Sequence, residues 1–201
     1  MTKIMVFERQ TQGRVHAVFD NGTECLLYRS ECAQLKLEEG RVLSSTEYDF
    51  LVKELLGKRA IKRAMHLLTQ QDRSEHQLRE KLQRGGYPAE CIERAVEYVR
   101  SYGYLDDRRL AANYVRLTQD GQSRMQISRR LTGRGIAREV IREVLEEEYS
   151  ADELQQARRL LERRRFDAET ADEKEVRRNY AFLARRGFSG GCIRKAMGFC
   201  T

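Results

Sequence analysis

The chain repeats one spacing three times. Leu82, Gly86, Tyr87, Ile92 and Val96 are matched by Leu131, Gly135, Ile136, Ile141 and Leu145, and again by Leu183, Gly187, Phe188, Ile193 and Met197. Each set runs leucine, glycine four later, an apolar residue next, then apolar residues five and four further on. The sets start 49 and then 52 residues apart. A period of that length implies a tandem array of helical units, because each unit is too small to bury its apolar face and must stack on a neighbour. Such an array offers surface more than pocket, which points to an elongated partner.

The start of the chain has a different period. Residues 3–9, 14–19 and 24–28 are short runs rich in β-branched and aromatic residues, and Asp20-Asn21-Gly22 lies between the last two. An Asn-Gly pair between apolar runs signals a hairpin, since both residues tolerate positive φ. The expectation is a small antiparallel hairpin or three-strand segment packed on the helices, because three short strands alone are marginal. A short helix is expected over 30–36, ended by Gly40. Ser44-x-x-Glu47 is a capping box that should open a helix to about residue 68, broken or bent at Gly57.

The fold class expected is therefore mainly α, an elongated array of three three-helix, helix-turn-helix-like units. The boundaries expected are 1–58 for the strands and linking helix, then 59–105, 106–150 and 151–201 for the units. Their first helices carry the stripes Ala60, Ala64, Leu67, Leu68; Leu110, Tyr114, Val115, Leu117; and Leu154, Ala157, Leu160, Leu161. The second helices of units one and two open on capping boxes, Ser74-x-x-Gln77 and Ser123-x-x-Gln126. They bury Leu78 and Leu82, or Ile127 and Leu131, and should close at Gly86 and Gly135 in a left-handed conformation. Unit three departs from the pattern, with a longer polar loop over about 166–173. Asn179 falls where Leu78 and Ile127 stand, so Val176, Tyr180 and Leu183 are expected to supply the stripe. The last helix should be short and fray at Gly198, as terminal repeats are atypical.

Charge adds a direction. The chain holds 38 Lys and Arg against 31 Asp and Glu, a net of +7, but residues 1–58 hold 8 against 9 and residues 153–201 hold 12 against 7. A basic array suits a polyanion or an acidic protein groove. Cys25, Cys32, Cys91, Cys192 and Cys200 show no CxxC pairing. Cys91 and Cys192 each precede an isoleucine, which reads as reduced core thiols in a reducing, cytoplasmic setting. No run approaches the roughly 20 apolar residues of a membrane span, and Met1-Thr2-Lys3-Ile4 opens no signal-peptide apolar core.

Reactive constellations are not evident. Asp106-Asp107 precedes the Leu110 helix, where capping and the helix dipole account for both carboxylates. His16, His66 and His76 have no ligand spacing, Ser74 and Ser123 serve as caps, and Gly190-Gly191 is a turn and not a phosphate cradle. The expectation is a non-enzyme without cofactor or metal. The candidate surface is basic: Arg79, Lys81 and Arg84 in unit one; Arg129, Arg130 and Arg134 in unit two; Arg163, Arg164, Arg165, Arg177, Arg178, Arg185 and Arg186 in unit three. A solvated face explains any one of them as well. Recurrence beside Leu131-Gly135 and Leu183-Gly187 is harder to explain so. A helix-turn-helix DNA reader is the competing idea, but the third helices are acidic, with Glu90, Glu93 and Glu97 in one and AREVIREVLEEE in the other, and fit a major groove poorly. A helical adaptor without nucleic acid also stays open.

Three stretches together resemble the RecX family, regulators of the RecA recombinase: Ser74-Glu75-x-x-Leu78-Arg79-x-Lys81-Leu82, Gly103-Tyr104-Leu105-Asp106-Asp107 followed by Leu110-Ala111, and Leu131-x-x-x-Gly135-Ile136. The third unit follows the scheme more loosely, and the likeness covers nearly the whole chain. The resemblance implies a regulator, not an enzyme, that binds the RecA filament on single-stranded DNA and limits its growth, ATP hydrolysis and strand exchange. Beside it stand the expectations of a cytoplasmic monomer that touches single-stranded DNA weakly and without sequence preference through its basic faces, and no membrane.

Overall fold

In the computed structural model, which describes residues 1–199, the alternating N-terminal runs form strands β1 (Thr2–Arg9), β2 (Arg14–Phe19) and β3 (Glu24–Tyr28). A two-residue strand, β4 (Val42–Leu43), adds to the free edge of β1, so the antiparallel sheet runs β3-β2-β1-β4. Ile4, Val15, Ala17, Phe19, Cys25 and Leu27 line its buried face. The hairpin turn differs from the expectation. Gly22 takes φ +79°, but Asn21 does not enter the left-handed region; its Oδ1 accepts the Thr23 N–H at 3.0 Å instead. Helix α1 (Arg29–Gln34) closes through Lys36 at φ +50°, not at Gly40. Gly40 donates its N–H to the Ile4 carbonyl at 2.9 Å and turns the chain onto β4, a strand too short to leave a periodic signal.

Helix α2 (Ser45–Asp49) starts at the expected box: Ser44 Oγ accepts the Glu47 N–H, and Glu47 Oε2 accepts the Ser44 N–H at 2.8 Å. It passes through a wider π-helical segment (Phe50–Leu56) into α3 (Gly57–Gln70). Gly57 stays helical, so the irregularity lies before it; a Cβ there would sit 3.3 Å from Arg94 Nη1.

The described residues divide into two compact bodies, Met1–Asp106 and the segment from Asp107 onward. The first holds the sheet and repeat one, which adds α4 (Glu75–Arg84) and α5 (Ala89–Ser101) to α3. The second holds repeat two, α6 (Asp107–Thr118), α7 (Arg124–Thr132) and α8 (Arg138–Glu148), and repeat three, α9 (Glu153–Arg163), α10 (Glu173–Arg185) and α11 (Gly190–Ala196).

The recurrent spacing acquires a physical meaning here. Tyr87, Ile136 and Phe188 donate their amides to the carbonyls of Leu82, Leu131 and Leu183 at 3.4, 3.3 and 3.3 Å. The glycines between them, at φ +72°, +76° and +83°, donate to Gln83, Thr132 and Ala184. This is the Schellman helix stop, which satisfies orphan carbonyls and brings an apolar residue back towards the leucine. The last two positions of each set are core positions of the next helix: Ile92 and Val96, Ile141 and Leu145, Ile193 and Met197 are all buried. Each repeat so acquires its own apolar cluster, repeat one sharing a cluster with the sheet.

Four details of the stripes need correction. Leu117 is 84 % exposed, and Ala111 takes the buried place beside Val115. Ser123 caps α7, but Gln126 does not reach back; its buried Oε1 meets no donor. In α10 it is Asn179, not Tyr180, that faces inward, with Oδ1 accepting from Arg164 Nε at 2.6 Å and Nδ2 donating to the Glu175 carbonyl at 3.1 Å. The last helix closes by the same stop, with Gly198 at φ +82° and the Phe199 N–H on the Arg194 carbonyl at 2.9 Å. Cys25, Cys32 and Cys91 are buried and Cys192 is half-buried; Cys200 lies outside the described residues. Among the described residues no helix is long and apolar enough to cross a membrane.

Candidate functional site

The arginines separate into those that hold helices together and those left without an acidic partner. In repeat one, Arg79 donates to Glu75 Oε1 at 2.9 Å and to Glu93 Oε2 at 3.0 Å, and Arg100 also reaches Glu75. Burial alone would raise the Glu75 carboxyl, but Arg100 and Arg79 outweigh it and hold it below the ordinary range. These contacts join α4 to α5. Arg84 pairs with Glu80 at 3.3 Å, one turn away, and Lys81 is exposed. Repeat two does the same with residues outside the expected set. Arg108 pairs with Glu143 at 2.7 Å and Glu147 at 2.6 Å, and Arg116 grips Glu148, so α6 neutralises the acidic α8.

The remainder of the expected surface is less compensated. Arg129 and Arg130 are exposed on the last turn of α7, and Arg134 lies 4.6 Å from the centre of the Tyr114 ring. In repeat three, Arg177 pairs with Glu173 and Arg178 stands 3.8 Å from Glu175. Arg163 and Arg165 are exposed. Arg164 and Arg186 share one ring: their guanidinium carbons lie 4.3 and 3.7 Å from the centre of Phe182. Arg186 is half-buried, and burial followed by the charges of Arg164 and Arg185 pulls it below its ordinary value. Among the described residues no carboxylate pairs with Arg163, Arg164, Arg185 or Arg186. Cations held near one another on an aromatic face, without an anion, form a preorganised acceptor for phosphate or carboxylate.

A groove of about 710 Å³ in the same body is lined by Arg124, Met125, Arg138, Ile141, Arg142 and Leu145 among others. The sequence reading left out these three arginines. Arg138 and Arg142 sit four apart in the helix dismissed as acidic, and the signal that could have found them is a charge count by helix face rather than by helix. The histidines stay apart: His16 meets Glu24 at 3.4 Å and His66 meets Gln70 at 3.1 Å. Asp107 opens α6, with Asp106 just ahead of it.

Comparison with known proteins supplies an independent reading. Residues 60–98, 106–145 and 151–197 match the models of the first, second and third three-helix domains of RecX. The regulatory protein RecX of Trichlorobacter lovleyi is 39 % identical over 137 residues, covering 66 % of this chain and 89 % of that one. The regulatory protein RecX of Caldanaerobacter subterraneus subsp. tengcongensis is 30 % identical over 165 residues and 81 % of each chain. In fold the chain is similar to a crystal structure of a regulatory protein RecX, with TM-score 0.62, 22 % identity and coverage of 97 % of this chain and 100 % of that one. It is also similar to RecX from Lactobacillus salivarius, with TM-score 0.60, 17 % identity and coverage of 71 % and 95 %.

Proposed function

The chain belongs to the RecX family of regulatory proteins, and from that premise we propose that it binds the RecA-type recombinase filament on single-stranded DNA and inhibits its growth, ATP hydrolysis and strand exchange. It would act in the cytoplasm as a monomer, in DNA repair and recombination. The observation that carries the reading is the pair of arginines, Arg164 and Arg186, on the Phe182 ring without a carboxylate partner among the described residues, with the charge of Arg185 beside Arg186. Isolated surface arginines are inexpensive to solvate and say little. A half-buried one held beside two like charges costs stability, which a partner's anions would recover. Arg129 and Arg130, at the end of α7, extend the surface within the same body. The arginines of repeat one, and Arg177 and Arg178, would contribute less, since carboxylates of the chain already occupy most of them.

A helix-turn-helix reader would place α5 or α8 against a duplex. Glu90 and Glu97 of α5 and Glu139 and Glu146 of α8 stand exposed on those helices, which disfavours that arrangement.

The test is ATP hydrolysis by the cognate recombinase on circular single-stranded DNA, with the protein added after filaments form. Hydrolysis should fall with dose, and the double substitutions Arg185→Glu/Arg186→Glu or Arg129→Glu/Arg130→Glu should shift that dose upward at least about tenfold. Inhibition far below one regulator per recombinase subunit would indicate blocked growth at the filament end, whereas an equimolar requirement would indicate coating of the groove. No inhibition by folded protein at low salt removes the reading.

A further inference from the structure

A different surface, in the first body, has the makings of a nucleic-acid platform. Tyr98, Tyr102 and Tyr104 at the end of α5 are 38 %, 62 % and 52 % exposed. Their rings form a ladder: Tyr98 and Tyr102 lie 4.7 Å apart between centres, and Tyr102 and Tyr104 lie 6.4 Å apart and within 23° of parallel. The ladder is held by a helix stop, not by a loose loop. Tyr104 donates its N–H to the Val99 carbonyl at 2.9 Å, and Gly103, at φ +70°, donates to Arg100. Three aromatic rings on a fixed turn, half open to water, serve no packing need of the apolar cluster beneath.

Beside the ladder runs a helix without acidic residues. Helix α3 reads GKRAIKRAMHLLTQ, with Lys58, Lys62 and Arg63 exposed. A shallow groove joins the two features, lined by Lys58, Ile61, Lys62, Arg94, Glu97 and Tyr98 among others. Lys58 pairs with Glu54 at 2.8 Å, while Lys62 and Arg94, which donates to the Lys53 carbonyl at 2.7 Å, keep their charge on this face. Glu97 opposes them within the groove, and Asp106 and Asp107 follow Tyr104 in the chain.

We propose that the Tyr98-Tyr102-Tyr104 ladder stacks the bases of single-stranded DNA while the α3 cations follow its phosphates. Stacking on exposed aromatics beside a basic track is how proteins hold single strands without reading sequence. A duplex buries the base faces this ladder would use. A protein partner is less favoured, because protein-binding aromatic patches form around a dry apolar centre, whereas these rings carry hydroxyls and are interleaved with Arg100 and Ser101. Among the RecX-like expectations this goes beyond weak contact through the arginine faces, and places the contact on residues outside that set.

The experiment uses the full chain and no recombinase, so its failure leaves the filament reading intact. A fluorescein-labelled (dT)20 strand is titrated at low salt and followed by anisotropy. The chain has no tryptophan and 9 tyrosines, so quenching of tyrosine emission reports stacking directly. Binding should quench that emission, and Tyr102→Ala/Tyr104→Ala should weaken it by about tenfold or more, while Tyr102→Phe/Tyr104→Phe retains it. Both rings are more than half exposed, so the variants should fold, which a thermal melt checks. The proposal is overturned if the wild-type chain does not bind (dT)20. It is equally overturned if the alanine variant binds as tightly as the wild type, or if a duplex of the same length binds and quenches equally.

Discussion

Repeat one and repeat three use the same helix stop and place opposite electrostatics around it. In repeat one, Arg79, Arg84 and Arg100 each have a carboxylate of the chain: Arg79–Glu93 and Arg100–Glu75 join α4 to α5, and Arg84–Glu80 closes within α4. In repeat three, Arg164 and Arg186 rest on Phe182 and a buried asparagine instead. A basic residue count would rank the two surfaces alike. Their partners separate them: one set of cations is paired with carboxylates of its own repeat, and among the described residues the other set meets none.

The largest effects should come from what the repeats share. The stop glycine is also where a neighbouring element abuts. A Cβ on Gly86 would lie 2.4 Å from Leu26 Cγ in β3, and one on Gly187 would lie 2.6 Å from Ser123 Oγ, the cap of α7. Ser123 in turn donates to the Arg186 carbonyl at 2.7 Å. Gly86→Ala and Gly187→Ala should each lower stability by about 2–4 kcal/mol, combining left-handed strain with overpacking. Gly103→Ala, with the same positive φ but nothing within 4 Å, should cost about 1 kcal/mol. Chemical denaturation measures all three, and equal losses would show that close approach adds nothing.

Charge reversal breaks the comparison next. Arg185→Glu/Arg186→Glu should weaken filament inhibition about tenfold with little loss of stability. Arg79→Glu should do the reverse, because it leaves Glu75 and Glu93 facing a like charge. If both variants lose activity equally at equal stability, the distinction between structural and uncompensated arginines fails.

Much of this was legible before any coordinates. The Leu-x-x-x-Gly-apolar spacing is a local motif, and local hydrogen bonding suffices to place each helix end. The capping boxes at Ser44 and Ser74 were legible for the same reason. What escaped depended on distant partners. Asn179 breaks the apolar stripe, yet it is buried because Arg164, from another helix, supplies its hydrogen bond. Leu117 keeps the helical period but sits where no neighbour covers it. The pairing of Arg108 with Glu143 and Glu147 spans 35 and 39 residues, beyond any periodicity. The arginine surface was legible as a list, and its division into paired and unpaired members was not.

A smaller effect is expected at Glu75. Glu75→Gln keeps the shape and removes the charge shared by Arg79 and Arg100. At neutral pH it should cost about 0.5–1 kcal/mol, the range of partly exposed pairs. The folded carboxyl is held low, so its contribution is present above the unfolded value near 4.3 and is lost as pH falls through the folded one. Wild type and variant should therefore converge in stability in acid. Urea melts at pH 7 and pH 3 test this, and a gap that widens in acid would contradict the assignment.

The smallest effect probes one position in two surroundings. Cys91 and Cys192 both stand just before the first core isoleucine of the third helix. Cys91 is buried under the π-helical segment, its Sγ donating to the Val52 carbonyl at 3.3 Å, and burial pushes it up to about 11. Cys192 is half-buried and raised by burial and then by Glu153 and Asp152. Cys25, under the sheet, is pushed up to about 12 by burial. At pH 8 iodoacetamide should modify Cys192 well before Cys91 or Cys25, as read by peptide mass mapping, because the thiolate is the reactive form and access is needed as well. Equal rates would mean that repeat one opens as readily as repeat three. The same burial sets an alkaline limit. The folded thiols keep protons that the unfolded chain releases near pH 8.5, so their contribution is whole below that value and is lost as pH climbs towards 11 and 12. Replacing Cys91 by alanine should flatten that decline, and a decline that keeps its slope would place its origin elsewhere.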